Sequence, residues 1–412
     1  MKKRKVLVPE YMNEFKCIGA QCEDNCCIGW NVAIDKETNM KYKNVRNQEL
    51  KEKLQKYISR NRSNGTNENY AKIKMLDNDC CPFLNEKKFC SIQEVLDEKY
   101  LSNVCSTYPR SVNVVNGSFE RSATLSCPEI ARLALLKEEG INFFEIEENS
   151  NIRNIIEYNF NFQEFKFKNK SEKYFWKLRT FTIQVLKARD YTIDERLIIL
   201  GMFYQKIQEL YKENEVENVL ALIEDYTKLI VTGEFKDILE NMPSSDAMQM
   251  ELLKELCDIK ILAGNRSKKY FNCYSEFLTG ILYTRESTIE KISLRYSEGC
   301  KKYYMPYMKE HEYILENYLV DYVFKKLFPL GQYNNMFDNY VMFIVHYAMI
   351  KMHLIGIASL YKEKFNTDKV IEVVQAFTKA IDHNKEFLKH VFNLLKGNGY
   401  GTMAHMTILI KN

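Results

Sequence analysis

Cysteine is where this sequence carries its chemistry. Of 12 cysteines, nine fall within the first 127 residues: Cys17, Cys22, Cys26, Cys27, Cys80, Cys81, Cys90, Cys105 and Cys127. Only Cys257, Cys273 and Cys300 follow. A set dispersed for packing would not be so lopsided. Disulfides are disfavoured in a reducing compartment, where clustered cysteines are more often metal or iron–sulfur ligands. All six histidines lie beyond residue 310. A Cys2His2 site is therefore excluded within the cysteine-rich region. Ligation there falls to thiolates, alone or with a carboxylate or an exogenous ligand. Such sites suit zinc or iron–sulfur clusters, because soft sulfur favours those ions.

The spacing runs Cys17-x4-Cys22-x3-Cys26-Cys27, then Cys81-x8-Cys90-x14-Cys105-x21-Cys127. No CxxC…CxxC zinc ribbon is present. The CxxxCxxC triplet of radical S-adenosylmethionine (SAM) enzymes is also absent, since after Cys22 and Cys26 its third position falls on Gly29. Neighbouring side chains diverge in extended chain, so Cys26 and Cys27 are expected to ligate different centres, or different metals of one cluster. The competing reading is that these thiols pack in a small hydrophobic core. For Cys80 that reading weighs as much as ligation, because Cys81 opens the better-formed Cys81-Pro82-Phe83-Leu84 unit. Polar residues flank the set at Tyr108-Pro109-Arg110 and Ser126-Cys127-Pro128-Glu129. Arg110 has the geometry to bind a carboxylate, and Tyr108 could exchange a proton near a lysine amine. The plainer reading makes both of them support for the metal site.

The elements that must position these residues divide in two. Gly (15) and Pro (7) are scarce among 412 residues, which points to a mainly helical protein. Residues 1–138 read as a cysteine-rich unit stapled by metal or an Fe–S cluster, because so small a region buries little apolar surface without a staple. Within it, Arg60–Asn67 reads as an exposed loop. Val112–Val115, Asn116-Gly117 and Ser118–Arg121 read as a small β-hairpin, and Pro128 suits the first turn of a helix. Residues 140–170 look like an aromatic, asparagine-rich connector. Residues 139–412 read as an all-α domain for substrate recognition or self-association. Thr192-Ile193-Asp194-Glu195 is a capping box. Tyr313–Phe328 is a helix ended by Pro329, Met336–Tyr361 is apolar all round and hence central, and Thr367–His383 and Lys385–Lys396 complete the bundle.

Other function classes find little support. Net charge is +4 on 59 basic and 55 acidic residues, too weak to predict nucleic-acid binding. Gly397-Asn398-Gly399-Tyr400-Gly401 resembles a nucleotide loop but follows a helix, with no room for a βαβ unit, so it reads as a helix end and loop. His346 and His353 share a helix face and read as core polar groups. After the basic start, Met1–Lys5, Val6-Leu7-Val8 is followed at once by Pro9-Glu10, so no apolar core of a signal peptide is present. Near the C-terminus, Lys351 and His353 interrupt the longest apolar run. A cytoplasmic protein with no membrane partner is expected.

Taken as an ordered set, Cys17-x4-Cys22-x3-Cys26-Cys27-x2-Trp30, Cys81-Pro82-Phe83-Leu84, Cys90-Ser91-Ile92, Cys105-x2-Tyr108-Pro109-Arg110 and Leu125-Ser126-Cys127-Pro128-Glu129-x2-Arg132 resemble the flagellin lysine N-methylase family. Leu315-Glu316-Asn317-Tyr318-Leu319, Phe328-Pro329 and Lys351–Ile355 resemble its distal part. The first unit is also similar to the broader CxxCxxCC family, although its spacing departs from that consensus. The resemblance implies SAM-dependent methylation of flagellin lysines and an iron–sulfur cluster, of the [4Fe–4S] kind. Carried onto this chain, its ligands come from Cys17, Cys22, Cys26, Cys27, Cys81, Cys90, Cys105 and Cys127. Eight thiolates exceed the four of one such cluster, so either a second metal, such as zinc, is bound or half are structural. Trp30 and Arg110 are candidates for holding SAM, and Tyr108 and Arg110 for catalysis. An iron with an open position is one way to bind the amino-acid end of SAM. The alternative reading is a non-enzymatic, zinc-stapled adaptor whose helical part binds a partner or a second copy of the chain.

Overall fold

The computed structural model describes residues 3–63, 65–150, 152–164, 170–264, 267–333 and 335–412. The first two residues of the basic start, Asn64 of the polar loop, and residue 151 and residues 165–169 of the expected connector lie outside them. The chain is mainly helical. It forms two compact units: residues 1–130 with 143–159, and residues 131–142 with 160–412. The sequence reading sets one boundary at 138/139, whereas the chain crosses between the units three times.

The first unit holds more strand than a lone hairpin. Its strands are β1 (Lys3–Pro9), β2 (Ala33–Ile34), β3 (Ile58–Arg60), β4 (Ala71–Ile73), β5 (Arg110–Val115), β6 (Ser118–Ala123), β7 (Phe143–Asn149) and β8 (Ile156–Phe160). They build a five-stranded sheet, β7-β1-β6-β5-β8, and a three-stranded one, β2-β4-β3. The expected hairpin is β5–β6, with Val114 opposite Phe119 and Val112 opposite Arg121. Asn116 and Gly117 both take positive φ, 50° and 81°. That is the backbone a two-residue hairpin turn requires, and one that asparagine and glycine accept.

Strands β7 and β8 occupy the stretch expected to be a connector. The reason lies in their register. On β1 the inward positions are Arg4, Val6 and Val8, and Arg4 stands opposite Glu148 of β7. Glu148 is buried and accepts from Arg4 and from Arg121 of β6. A buried charge at an inward position breaks the apolar alternation by which strands are recognised. The three-stranded sheet packs on a small core of Val32, Ile34, Tyr42, Leu50, Leu54 and Phe83, and Cys27, Trp30 and Cys90 pack against that core.

The second unit is a helical bundle around Met336–Tyr361, whose ends match the sequence reading. The stretch Met336–Lys364 is long and apolar enough to cross a membrane, but its apolar window is wholly buried inside the unit. Helix Lys268–Gly280 lies close against it. A Cβ on Gly280 would overlap the Gly356 carbonyl oxygen, and one on Gly356 would overlap the Phe277 ring. Only glycine permits such an approach. The capping box is formed, with Thr192 accepting from the Glu195 amide and Glu195 from the Thr192 amide. Helix Tyr313–Lys325 ends three residues short of the expected Phe328, and Thr367–Phe377 passes into a π-helical turn, Thr378–Asp382. Gly399, at φ 74°, follows the end of helix Lys385–Gly397, as a helix-end loop should.

The distal motif is scaffolding. Arg196, 2% exposed, donates to Glu316 (3.0 Å) and Glu312 (3.0 Å), and Arg189 donates to both Glu316 oxygens (3.0 and 2.9 Å). Asn317 donates to the carbonyls of Leu135 (3.1 Å) and Lys137 (2.7 Å) and accepts from the Ile141 amide (3.2 Å). Lys351 donates to Asp194 (2.6 Å) and to the Ile410 carbonyl (2.7 Å). His346 does have an acidic neighbour, which the sequence reading did not place: its Nε2 is 3.4 Å from buried Asp382. His353 lies among the rings of Tyr270, Tyr274 and Phe277.

Candidate functional site

The thiols of the first unit sit in turns and at helix starts, where main-chain N–H groups are free to meet sulfur. Residues 25–28 form a turn closed by the Ile28 amide on the Asn25 carbonyl (3.3 Å). Cys26 and Cys27 are its central residues. Their side chains meet instead of diverging, because a turn lacks the alternation of extended chain. Cys27 lies between Cys26 and Cys81, and these two sulfurs together with burial hold its thiol protonated far above the ordinary range. The same contact lowers Cys81, which also receives the amides of Phe83 and Leu84. The Cys81 amide donates to the Cys27 carbonyl at 2.8 Å, and Ile28 bridges Cys80, so the two segments are fixed side by side.

Cys90 begins helix Ser91–Leu96. Burial raises its thiol, while the amides of Gln93 and Ile92 pull the other way. Cys127 stands just before helix Pro128–Leu135 in the same manner. Burial takes it to about 11, opposed by the amides of Ile130 and Glu129, with Cys22 and Cys26 close enough to add to the rise. Cys105 lies on helix Asn103–Thr107, capped by Ser102. The residue is exposed, yet desolvation with the nearby Cys90, Cys81 and Cys26 holds its thiol at about 12. Asp35 ties that helix to the small core, accepting from the Thr38 amide (2.8 Å), the Thr38 hydroxyl (2.8 Å) and the Asn103 amide (3.2 Å). Burial pushes Asp35 upward, but these bonds outweigh it and hold the carboxyl below its ordinary value.

Two neighbourhoods therefore share Cys26. One joins it to Cys27, Cys81, Cys90 and Cys105, the other to Cys22 and Cys127. Cys17 is exposed near Arg110, and Cys80 is half-buried. Among the described residues no three His, Cys, Asp or Glu side chains stand at metal-holding distance. The gathering is one of neighbourhood and of donor type. Amides aimed at sulfur favour thiolate, the form that binds metal.

Trp30 and Tyr108 lie beside this group. Their rings meet edge to face at 4.8 Å, and the Trp30 indole N–H donates to the Cys26 carbonyl. The Tyr108 hydroxyl is 3.2 Å from Ser126 Oγ, next to Cys127. Burial and the Cys127 sulfur push the phenol well above its ordinary value, so it keeps its proton and acts as a hydrogen-bonding group. Arg110 stacks over Phe15 at 5.4 Å and opens on a cleft of about 620 Å³. The cleft also holds Arg121, Arg153 and Asn154, none of which the sequence reading singled out. They come from separate parts of the chain and carry no local spacing signal.

Comparison with known proteins follows this geometry. The family described as "FliB lysine N-methylase C-terminal domain" matches residues 179–409. Over its whole length the chain is similar to a protein named Lysine-N-methylase from Salmonella typhimurium, at 24% identity over 98% of this chain and 100% of that protein. The same holds for the Lysine-N-methylase of Salmonella choleraesuis. A Flagellar biosynthetic protein FliU from Salmonella muenchen is 34% identical over 32% of this chain and 76% of that protein. No solved structure matches the chain. The family resemblance read from the cysteine motifs holds, and this chain belongs to the FliB lysine N-methylase family.

Proposed function

We propose that this chain methylates lysine side chains of flagellin in the cytoplasm, with SAM as donor, and that its first unit carries a cysteine-ligated iron–sulfur cluster. The observation that carries the enzymatic reading is the end-to-end match to relatives named lysine-N-methylase. The flagellar names FliB and FliU of its relatives support flagellin as the protein substrate.

The donor set supports the cluster. Cys26, Cys27, Cys81, Cys90, Cys105 and Cys127 lie in overlapping neighbourhoods within one unit, and Cys81, Cys90 and Cys127 already receive amides. A cluster of four irons takes four of these thiolates. Two of these six, with Cys17 and Cys22, remain for a second metal such as zinc, or for structure. When bound, the cluster would tie four thiolates together and supply redox-capable iron.

The transfer forms a bond between the lysine Nζ and the methyl carbon and breaks the bond from that carbon to sulfonium sulfur. S-adenosylhomocysteine leaves and a proton is released. The ammonium has no lone pair and an ordinary pKa of ~10.4, so the site must favour the neutral amine. Burial of the lysine beside Trp30 and Tyr108 would desolvate the ammonium and lower its pKa, against the attraction of the rings for the cation. The Tyr108 phenol, held protonated, accepts from or donates to the amine without taking its proton. Arg110 bears on the donor.

The test is anaerobic purification of the full chain, with iron and sulfide measured and flagellin methylation assayed on the same sample. Iron with matching sulfide and SAM-dependent methyl-lysine in flagellin support the reading. Zinc alone, with no SAM binding and no methyl-lysine, overturns it in favour of a zinc-stapled adaptor.

A further inference from the structure

The cleft bounded by Arg110 and Arg153 carries charge that the fold itself does not neutralise. Its charged lining is Asp97, Glu98, Lys99, Arg110, Arg121 and Arg153. Arg121 is neutralised: it pairs with Glu148 (2.5 Å) and donates to Asn154 (3.2 Å). Arg110 and Arg153 have no carboxylate partner among the described residues. Arg153 Nη1 donates to the Leu101 carbonyl (2.8 Å) and to Ser106 Oγ (3.1 Å), and its Nη2 to the Lys99 carbonyl (3.4 Å). These bonds fix the guanidinium plane and tie it to the segment that carries Cys105. Arg110 is partly desolvated and lies near Arg121, and both effects disfavour its charge, while nearby Glu98 and Cys17 act the other way without forming an ion pair with it. A guanidinium kept under that penalty and given no internal partner is suited to an anion from outside.

Asp97 and Glu98 stand on the same wall. Asp97 holds a backbone of φ 89° and ψ 161°, a region that only glycine adopts without cost. Its carboxylate accepts from the Lys99 amide at 3.4 Å and caps the turn that follows, so the strain has a local structural use and the site rests on the charge of the wall. Guanidinium and carboxylate on one wall complement a group bearing carboxylate and ammonium together, and a volume of about 620 Å³ suits a nucleoside-sized ligand.

We infer that this cleft takes the amino-acid end of SAM, with Arg110 and Arg153 holding its carboxylate and Asp97 and Glu98 facing its ammonium. The assignment rests on the reading of SAM as methyl donor. It places recognition of that end on side chains of the first unit, in place of an open iron.

The test compares SAM with its decarboxylated analogue, by calorimetric titration of the metal-loaded full chain. The wild type should prefer SAM by about tenfold or more, the scale of a charge-assisted bidentate contact. Arg110→Gln and Arg153→Gln should each weaken SAM by about tenfold to a hundredfold and leave the analogue within about twofold. Arg153 also braces the chain through its hydrogen bonds, whereas Arg110 is exposed and stacks over Phe15. Arg110→Gln, with metal content and thermal midpoint checked, therefore stands as the second variant. Equal binding of both ligands by the wild type overturns the assignment. So does a preference for SAM that survives in both variants, which leaves the donor reading standing. If the wild type binds neither ligand, the donor reading fails and this assignment with it.

Discussion

In the helical unit Cys257, Cys273 and Cys300 are each at most 2% exposed, and burial raises their thiols to about 12, 12 and 11. In the first unit Cys17, Cys26 and Cys105 are exposed, and Cys81, Cys90 and Cys127 receive main-chain amides. The residue type is the same, and what separates the two sets is the backbone beneath them. Inside a helix the amides are spent on the i→i−4 ladder, and a thiol is a small apolar group. In a turn or at a helix start the amides are free to reach sulfur: Cys81 is lowered by its contact with Cys27 and by those amides, while burial still raises Cys90, Cys105 and Cys127, so the sets differ in grouping and amide contacts more than in protonation. Charge follows the same division. The helical unit closes its charges inward, as in the Arg189, Arg196, Glu312 and Glu316 cluster. The first unit leaves Arg110 and Arg153 facing a cleft.

The sharpest way to break this comparison is to make one substitution in both units. Cys81→Ser should abolish stoichiometric iron and sulfide, because a hard oxygen replaces a soft donor in the shared neighbourhood. Cys273→Ser should leave both at wild-type level. Equal metal loss in the two variants, or none in Cys81→Ser, would sink the distinction.

Next in size is the buried cluster. Removing Glu316 takes from buried Arg196 one of its two carboxylate partners, leaving Glu312, and strips Arg189 of both its bonds to carboxylate oxygens, leaving the Glu138 carbonyl. Breaking a buried pair from one side costs about 3–5 kcal/mol. Glu316→Ala should show that loss in urea unfolding while iron content per folded chain is unchanged. A cost under about 1 kcal/mol would mean that the helical unit does not depend on its inward charges.

Sequence showed the helical unit more fully than the first. Met336–Tyr361 could be delimited because its apolar character is continuous, and Thr192–Glu195 because a capping box is local. The Asn116-Gly117 turn was legible for the same reason, since two residue types dictate a backbone. What escaped depends on distance. Strand β7 was hidden because its inward Glu148 finds Arg4 and Arg121 across the sheet. The Cys26–Cys27 contact needs a turn that nothing in the two letters specifies. The cleft is assembled from residues 97 to 155, and Arg153 lies in a stretch that reads as connector. The cysteines themselves were visible by count and order, but their grouping around Cys26 was not.

A pH series tests the helical side further. Burial among Tyr270, Tyr274 and Phe277 lowers His353 to about 4, against 6.5 in the unfolded chain. Below pH 6.5 the unfolded chain takes up a proton that the folded one refuses. This stability is therefore present above pH 6.5 and drains away as pH falls toward 4, by about 3 kcal/mol at most. His353→Phe should flatten the wild-type slope in that window and leave stability above about pH 7 changed far less. Burial lowers His346 as well, so a residual slope should remain. An unchanged slope in His353→Phe would show that this imidazole is not held neutral by its surroundings.

The smallest effect sharpens the contrast most directly, because it places one kind of contact in both units. Thr192 caps the helix Ile193–Lys212, and Asn47 caps Gln48–Tyr57 by accepting the Leu50 amide at 2.9 Å. Losing such a cap costs about 1 kcal/mol. In the helical unit the large core carries that loss whatever the metal state, so Thr192→Ala should lower stability equally with and without chelator. In the first unit the core is small. A metal staple there would supply much of the folding free energy. Asn47→Ala should then be nearly silent in the metal-loaded protein and visible once the metal is removed, as earlier loss of protection in hydrogen exchange across residues 48–57. If chelation changes neither variant, the first unit folds on its apolar core alone and the thiols are not its staple.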